Sequence, residues 1–203
     1  GGASCPCYAV TGDSRHHSIK DARRCAAPCV ADLAPILNVL DARIVIAGCT
    51  GTRSVALDDF YTWSGETVVQ AGELIIEIVL PHTAHPTTNV FEKYAQWEGD
   101  FAEASVAVRL DWQPGAPGQP PADARVAFGG VSPFPARGRA GEHALISAPL
   151  SDDTIRTAAA LAVHGALPLK DNKSKVALLV NLTQRAIRSA VSLFEAEKSF
   201  GDR

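Results

Sequence analysis

The spacing of apolar residues in the first half of the chain predicts one helix followed by three strands. A helical stripe begins at about Ala31, and Asp32 or the residue before it is placed to cap the helix. The apolar members of this stripe are Leu33, Ile36, Leu37 and Leu40. Runs rich in β-branched residues and bounded by turn residues then predict strands. They cover 42–48, the stretch after the Thr50-Gly51 turn, and 74–80 up to Pro81.

The second half has the pattern expected of a small antiparallel sheet covered by helices. Three strands are predicted at 90–97, 104–112 and 124–131, with a Pro/Gly-rich loop at 114–123. One helix follows Ser151, its cap, and has acidic residues in its first turn. A second begins near Lys175 and repeats apolar residues at helical spacing as far as Phe194. The pattern predicts an α+β fold whose three-stranded sheet carries helices on one face.

A polar stretch at 82–89 separates the two halves. It contains a proline and shows no periodicity, so it is interpreted as a domain boundary. The chain of 203 residues is long enough for two small domains with cores of their own. The predicted domains are 1–82 and 83–203.

Composition and charge narrow the class of protein without indicating a function. The chain is 46% hydrophobic and 20% charged, with a formal net charge of −3, so neither a nucleic acid nor a membrane surface is expected as a partner. The five cysteines are odd in number and four lie within residues 5–29, unlike a secreted disulfide scaffold, so a cytoplasmic location is expected. Because the sequence contains no methionine, we expect it to be part of a longer polypeptide or the product of a truncated gene.

The N-terminal region brings four cysteines and two histidines close together in sequence. They are Cys5, Cys7, Cys25 and Cys29, with His16 and His17. The C-x-C and C-x3-C spacings match no common zinc finger, whereas an iron–sulfur cluster accepts widely spaced thiolates. Cysteine is also a common small buried residue, and the spacing alone favours that structural role. Adjacent histidines point in opposite directions, so at most one of them would join a site.

No set of residues in the sequence forms a recognisable active site by itself. The nucleophile elbow G-x-S-x-G, the zinc-protease motif H-E-x-x-H and the P-loop are all absent. His82, His85 and His143 lie in stretches predicted to be solvated loops, and Gly129-Gly130 after a strand is by default a turn. The residues alone predict an α+β chain with a cysteine-rich N-terminal loop and no self-sufficient active site.

Six segments, taken together and in order, resemble one known family. In the first half they are RCAAPCVADLAPILNVLDARIVIAG, RSVALDDFYT and AGELIIEIVLP. In the second half they are FEKYAQWEGDFAEASVAVRLD, ARVAFGGVSPFPAR and DNKSKVALLVNLTQRAI. These segments resemble the FAD-binding subunit of molybdenum hydroxylases, the family of xanthine dehydrogenase and carbon monoxide dehydrogenase. The resemblance covers about Cys7 to Phe194. It implies the end of a PCMH-type FAD-binding domain followed by a domain like the CO dehydrogenase flavoprotein C-terminal domain.

Within this family, the order of C-Y-A-V, R-C-x-A and D-L-A-P is most similar to the 4-hydroxybenzoyl-CoA reductase branch. In that branch a loop of the flavin subunit holds an extra [4Fe-4S] cluster with four thiolates. The resemblance assigns the last two of these ligands to Cys7 and Cys25. The first two would lie upstream of Gly1, unless Cys5 and Cys29 replace them, so the ligand set in this chain is incomplete.

The resemblance also implies three residues of an FAD site. Asp32 matches an acidic residue at a helix start that contacts the flavin, and its structural alternative is a helix cap. Ile75 matches a position whose main chain touches the cofactor, and its alternative is a core strand residue. Lys93 matches a lysine near the flavin ring, where a cation favours the reduced, anionic flavin; its alternative is a lysine that blunts a strand edge.

The function implied by the resemblance is that of an electron-transfer subunit of an oxidoreductase. FAD would exchange electrons between [2Fe-2S] centres of a small subunit and an external carrier, while a molybdopterin-binding large subunit carries out the substrate chemistry. Two glycine-rich loops hold the FAD pyrophosphate in this family, and neither is in these 203 residues. We therefore expect weak FAD binding by the chain alone. The alternative is a truncated, non-catalytic docking or assembly module that has lost FAD.

Overall fold

The computed structural model describes residues 7–113 and 119–201, with side chains for 7–113 and 119–197. Its helices are α1 (Tyr8–Thr11), α2 (Leu33–Val39), α3 (Leu57–Phe60), α4 (Arg139–Ser147), α5 (Asp152–Val163) and α6 (Ser174–Gly201). Its strands are β1 (Arg43–Gly48), β2 (Gly51–Ala56), β3 (Tyr61–Trp63), β4 (Glu66–Thr67), β5 (Leu74–Val79), β6 (Thr87–Tyr94), β7 (Ala104–Asp111), β8 (Asp123–Gly129) and β9 (Ala136–Arg137). The predicted α+β class is confirmed. Cys5, and residues 114–118 of the predicted Pro/Gly loop, lie outside the described residues.

The first sheet is antiparallel, with β1 between β2 and β5. Its central strand is rich in β-branched residues, and Ile44 and Ile46 of β1 are buried with Leu57 and Phe60 of α3. Gly51 has a φ of +126°, a conformation that favours glycine, in the predicted turn between β1 and β2. The three strands predicted for this half are confirmed. The short α3 and the β3–β4 pair are additions that the sequence pattern does not indicate.

Strand β5 lies at the edge of the first sheet and is exposed along its whole length. Leu74 is 73% exposed and Ile76 is 57% exposed. The exposed apolar residues of this region, called the β5 surface below, are Leu74, Ile75, Ile76, Ile78, Val79 and Leu80. An apolar strand with one free edge is typical of a surface that pairs with further polypeptide.

The second sheet is antiparallel, in the order β6-β7-β8-β9. Its three long strands were expected from the sequence, although β6 begins at Thr87, inside the stretch interpreted as a domain boundary. The two-residue β9 makes the sheet four-stranded instead of three-stranded. β7 is buried on both faces, and one face packs towards α5 and α6. That core contains Val106, Val108 and Leu110 of β7 together with Phe128 of β8.

The two long helices near the C-terminus agree with the sequence pattern. Ser151 caps α5, because its hydroxyl oxygen accepts a hydrogen bond from the Thr154 N–H. The stripe of α6 is buried at Leu179, Thr183, Ile187 and Ala190. None of the helices in the described part of the chain combines the length and the apolar character that a membrane-spanning helix needs. The prediction of a loop around His143 is wrong, because His143 is exposed on α4, whose short sequence has little apolar periodicity.

Helix α2 packs on the opposite face of the second sheet, so the prediction that helices cover one face only is wrong. Val39 of α2 is buried with Ala107 of β7 and Ala127 of β8, and these small residues let the helix approach the sheet closely. α2 begins at Leu33, which is 69% exposed. Leu33 is therefore not part of the buried stripe, because the helix is short and its first turn projects beyond the apolar contact.

A buried ion pair lies beneath the C-terminal end of α2. Arg109 donates two hydrogen bonds to Asp111, two residues further along β7, at 2.8 and 2.6 Å. Arg109 also donates to the Val39 carbonyl oxygen at 3.3 Å and to the Asp41 carboxylate at 3.4 Å. Burial by itself would raise the pKa of Asp111, but hydrogen bonds from Arg109 and Thr87 hold that pKa below its usual value.

Hydrogen bonds connect the N-terminal, cysteine-rich segment (residues 7–29) to residues near the start of α6. Ser14 is buried, and its N–H and hydroxyl both donate to the Asp171 carboxylate at 3.0 Å. The buried side chains of Asn172 and Lys175 donate to the His17 carbonyl oxygen at 3.0 and 3.4 Å. Asn172, just before α6, and Lys175, in its first turn, therefore hold the cysteine-rich segment against the domain that contains the second sheet.

Glu73, just before β5, forms charge-assisted hydrogen bonds that make stability depend on pH. Arg53 donates to its carboxylate at 2.7 and 2.9 Å, and the Gln70 N–H donates at 2.8 Å. These hydrogen bonds, the one from Arg53 above all, lower the pKa of Glu73 from 4.5 to about 2. A carboxyl group whose pKa is lowered by folding adds stability above pH 4.5 and loses it as the pH falls towards about 2.

We expect Glu73→Gln to flatten the acid side of the stability curve, because the variant has no carboxyl group to protonate at this position. The measurement is the urea midpoint of unfolding at a series of pH values from about 5 to about 2. Glu77→Gln, which removes an exposed carboxylate from β5, the strand that follows Glu73, is the control and should keep the wild-type slope. Equal flattening in both variants would contradict the assignment.

Candidate functional site

Two of the three residues assigned to the flavin site by resemblance, Asp32 and Lys93, form an ion pair. Lys93 Nζ donates to Asp32 Oδ2 at 2.7 Å, although 61 residues separate them in the sequence. The side chains are 45% exposed at Asp32 and 24% exposed at Lys93. The pair therefore lies at the surface, where a ligand can reach it.

Asp32 occupies the N-cap position of α2 without capping the helix. Its backbone is already helical, with φ of −65° and ψ of −35°, and its side chain makes no capping hydrogen bond. The alternative role of Asp32 as a helix cap is therefore wrong. Its carboxylate is instead directed to Lys93 and is available to a ligand at the start of α2.

Lys93 lies on β6, the edge strand of the second sheet, opposite Ser105 of β7. Directly opposite residues of antiparallel strands point to the same face, so Lys93 is directed to the face on which α2 lies. An edge position is also where lysine blunts strand pairing. Here, however, the ammonium group pairs with the carboxylate of Asp32, directly before α2, which gives it a fixed position.

Ile75 lies in the other sheet, on β5, opposite Ile46 of β1. The register shifts next to this pair, which marks a β-bulge, and bulges change the direction of the backbone. The side chain of Ile75 is 50% exposed, so it is not a core residue within the described part of the chain. Contact of its main chain with a cofactor stays a prediction.

A cavity of about 510 Å³ lies between the cysteine-rich segment and the loop that follows β6. Its polar centre is Glu103, which bonds His16 Nδ1 at 2.5 Å, accepts from Gln96 at 3.2 Å, and pairs with Lys175 at 3.4 Å. Burial lowers the pKa of Lys175, and the Glu103 charge opposes that shift. The pairing of Glu103 with Lys175 is not indicated by the sequence, because nothing local links a loop glutamate with a helix lysine.

Two family models match the chain, one for each of its main sheets. Residues 22–83 match the FAD binding domain in molybdopterin dehydrogenase. Residues 89–192, about half of the chain, match the CO dehydrogenase flavoprotein C-terminal domain. The chain belongs to the FAD-binding medium subunits of the molybdenum hydroxylase family. Asp32 lies in the first matched region of this medium-subunit chain and Lys93 in the second, so their ion pair joins the two regions.

Individual relatives agree with this assignment. The medium-subunit chain is 30% identical over 143 residues to the glyceraldehyde dehydrogenase medium chain of Sulfolobus acidocaldarius, covering 70% of this chain and 49% of the relative. It is 27% identical over 161 residues to the carbon monoxide dehydrogenase medium chain of Hydrogenophaga pseudoflava, covering 77% and 55%. The structure of quinoline 2-oxidoreductase from Pseudomonas putida 86 superimposes with a TM-score of 0.72 at 27% identity, covering 87% and 65%. The medium-subunit chain therefore spans about half the length of the curated relatives it matches.

The residues of the medium-subunit chain fit part of an FAD site. The chain offers a carboxylate and an ammonium group 2.7 Å apart, and the carboxylate is not used to cap a helix. Such a pair can accept a hydrogen bond from a flavin and place a positive charge beside its ring. The pyrophosphate of FAD needs other partners, because the glycine-rich loops that would hold it are not in these 203 residues.

The cysteines in the described part of the medium-subunit chain do not form a metal site by themselves. Cys7 and Cys49 are exposed, Cys25 and Cys29 are half-buried, and all four are free thiols. Within residues 7–113 and 119–201, no group of three or more His, Cys, Asp or Glu side chains is placed to hold a metal ion. A [4Fe-4S] cluster takes four ligands, so Cys7 and Cys25 do not fit one without ligands from elsewhere.

Proposed function

We propose that this chain is the C-terminal part of the FAD-binding subunit of a heteromeric molybdenum hydroxylase. The observation that carries the proposal is the Asp32–Lys93 ion pair, formed between the two regions that match the family's FAD-binding and C-terminal domains. Bound FAD would pass electrons between [2Fe-2S] centres in a small subunit and an external carrier. A molybdopterin-binding large subunit would carry out the substrate chemistry.

The chain's own residues would bind and orient the flavin. The Asp32 carboxylate accepts a hydrogen bond from the ribityl chain or the ring. The Lys93 ammonium places positive charge near the ring, which favours the reduced, anionic form. Ile75 adds a main-chain contact from the bulged strand β5. Asp32 and Lys93 also hold each other in place, which reduces the side-chain entropy lost on binding.

Four finer assignments belong to the proposal. The order of C-Y-A-V, R-C-x-A and D-L-A-P favours the 4-hydroxybenzoyl-CoA reductase branch. Cys7 and Cys25 are proposed as two of the four ligands of a [4Fe-4S] cluster, with the others supplied from outside the described residues. The clustered, odd-numbered cysteines support a cytoplasmic location. The polar stretch at 82–89 supports a division into domains 1–82 and 83–203.

Titration of the purified chain with FAD, followed by flavin fluorescence and by the absorption spectrum after desalting, tests the proposal. We expect weak binding, because the chain lacks the pyrophosphate-binding loops. Lys93→Met should weaken this binding about tenfold, because it removes one charge-assisted interaction of about 1.4 kcal/mol. Lys170→Met, which removes a 58%-exposed lysine, is the control. Tight stoichiometric binding would overturn the first expectation, and unchanged affinity in Lys93→Met would remove Lys93 from the site.

The β5 surface favours a second candidate function, that of a subunit-docking or assembly module without FAD. Five exposed apolar residues on an edge strand, with exposed Leu80 directly after it, indicate a protein partner whether or not a cofactor is bound. The titration separates the two functions. No FAD binding by the wild-type chain, together with retained association with the other subunits in a reconstituted complex, would support the docking module.

A further inference from the structure

We propose that Gly129, Ser105 and Pro35 are positioning residues for Asp32, because they form a notch in the second sheet that seats the first turn of α2. The inference deepens the proposed function, since the carboxylate that the notch positions is the one assigned to the flavin. The notch is a property of the folded chain itself. It can therefore be tested without FAD.

The strands of the second sheet align Lys93, Ser105 and Gly129 in one row. Lys93 of β6 lies opposite Ser105 of β7, and Ser105 lies opposite Gly129 of β8. Directly opposite residues in antiparallel strands point to the same face, and here that face is the one that α2 covers. The row therefore runs under the start of α2 and ends at the lysine that pairs with Asp32.

Glycine is needed at position 129 because a side chain would not fit there, and not because of the backbone conformation. Its φ lies outside the left-handed region, unlike that of its neighbour Gly130. A Cβ atom at Gly129 would lie 2.6 Å from Ser105 Oγ and 2.8 Å from Pro35 Cγ. Both distances are too short for side-chain atoms in contact, so any larger residue at 129 must displace a neighbour.

The two neighbours of Gly129 differ in how they can respond to an added Cβ atom. The Ser105 hydroxyl is buried without a hydrogen-bond partner in the described structure, so it can rotate without breaking a hydrogen bond. The Pro35 ring is rigid, so the contact is relieved only by movement of α2. Pro35 lies about one helical turn after Asp32, and its displacement moves Asp32 away from Lys93.

Gly138 supplies a matched control in the same domain. A Cβ atom at Gly138 would lie 2.8 Å from Ala162 Cβ and 3.2 Å from Phe128 Cε2, so the substitution meets buried neighbours at similar distances. Phe128 and Ala162 belong to the core between the sheet and the C-terminal helices. Gly138→Ala therefore strains the fold on the face away from α2.

The test compares the rate of Lys93 acetylation by a small amine-reactive reagent, measured by peptide mass spectrometry on the folded full chain. In the wild type, Lys93 is held by Asp32 and 24% exposed, so it should react slowly compared with Lys170. We expect Gly129→Ala to raise the Lys93 rate several-fold, to the rate in Asp32→Asn. Gly138→Ala should keep the wild-type rate.

Two combined variants separate positioning from general destabilisation. Adding Asp32→Asn to Gly129→Ala should cause no further increase, because the contact is already lost. Adding Pro35→Ala to Gly129→Ala removes the obstructing ring and should restore the slow wild-type rate. If Gly129→Ala does not fold, the Gly129→Ala/Pro35→Ala chain alone tests the proposal. That chain should fold and show the slow Lys93 rate. If it does not fold, or folds with a fast Lys93 rate, the proposal is overturned.

A wild-type Lys93 rate in folded Gly129→Ala, or an equal increase in Gly138→Ala, would also overturn the proposal. The proposed function fails by a different measurement. If the chain binds no FAD but the acetylation rates follow the expected pattern, the notch positions Asp32 for a purpose other than flavin binding. If FAD binds and depends on Lys93 while Gly129→Ala leaves the Lys93 rate unchanged, only the notch is wrong.

Discussion

Replacement of Asp111 with alanine is expected to lower the free energy of unfolding by about 3 kcal/mol, because it leaves a buried guanidinium group without its main partner. Arg109 is 7% exposed and Asp111 is 4% exposed. Arg109 would keep its hydrogen bonds to the Val39 carbonyl oxygen and to Asp41, which limits the loss. Urea unfolding followed by circular dichroism measures the change. The loss should loosen the end of α2 that rests on this network.

The control for this prediction lies directly opposite Asp111 on the neighbouring strand. Asp123 pairs with Arg125, but its side chain is 42% exposed, so Asp123→Ala should cost less than about 1 kcal/mol. The double variant Arg109→Met/Asp111→Leu should be more stable than Asp111→Ala, because it leaves no buried charge unpaired. Equal stability of Asp111→Ala and Asp123→Ala would show that burial of the pair has no energetic consequence.

The isolated chain is expected to self-associate through the β5 surface, and replacement of both Leu74 and Ile76 with lysine is expected to make it a monomer of 21.4 kDa. The two side chains are the most exposed of the β5 surface, and burial of each against another molecule would contribute about 1.5 to 3 kcal/mol. The free edge of β5 adds backbone hydrogen bonds to such an association, and lysine opposes it by charge repulsion. Sedimentation velocity over a range of protein concentrations measures the effect.

A lysine at Leu167 is the matched control for the β5 variants. Leu167 is 80% exposed and lies outside the β5 surface, so Leu167→Lys adds charge without changing the strand. It should leave the self-association of the wild-type chain unchanged. A wild-type chain that is monomeric at every concentration would contradict self-association through the β5 surface.

Elements with strong periodicity or clear turn residues could be predicted from the sequence. The α6 stripe was predictable because Leu179, Thr183 and Ile187 recur at helical spacing and all face one core. Ser151 was predictable because its hydroxyl acts on a backbone group only three residues away. In each case the residues that form the element lie close together in the sequence, so the local pattern is enough to predict it.

Contacts between distant residues could not be predicted in the same way. Resemblance to a family pointed to Asp32 and Lys93 one at a time, but only the fold shows that they touch. The close approach of α2 to the sheet depends on Ala107 and Ala127, which look like ordinary strand residues in the sequence. β5 was predicted as a strand, but its exposure could not be predicted. Exposure depends on whether other polypeptide covers the strand, and the residues of β5 do not report that.

The anchoring of the cysteine-rich segment has a consequence for the order in which the chain is made. Ser14 is held by Asp171, 157 residues later, and His17 is held by residues at the start of α6. Synthesis at about 5 to 20 residues per second takes roughly 8 to 30 s to cover that distance. During this time Cys7, Cys25 and Cys29 have emerged without the partners that later close over their segment. Any modification or metal loading of these thiols that needs an open loop has this interval on the ribosome in which to occur.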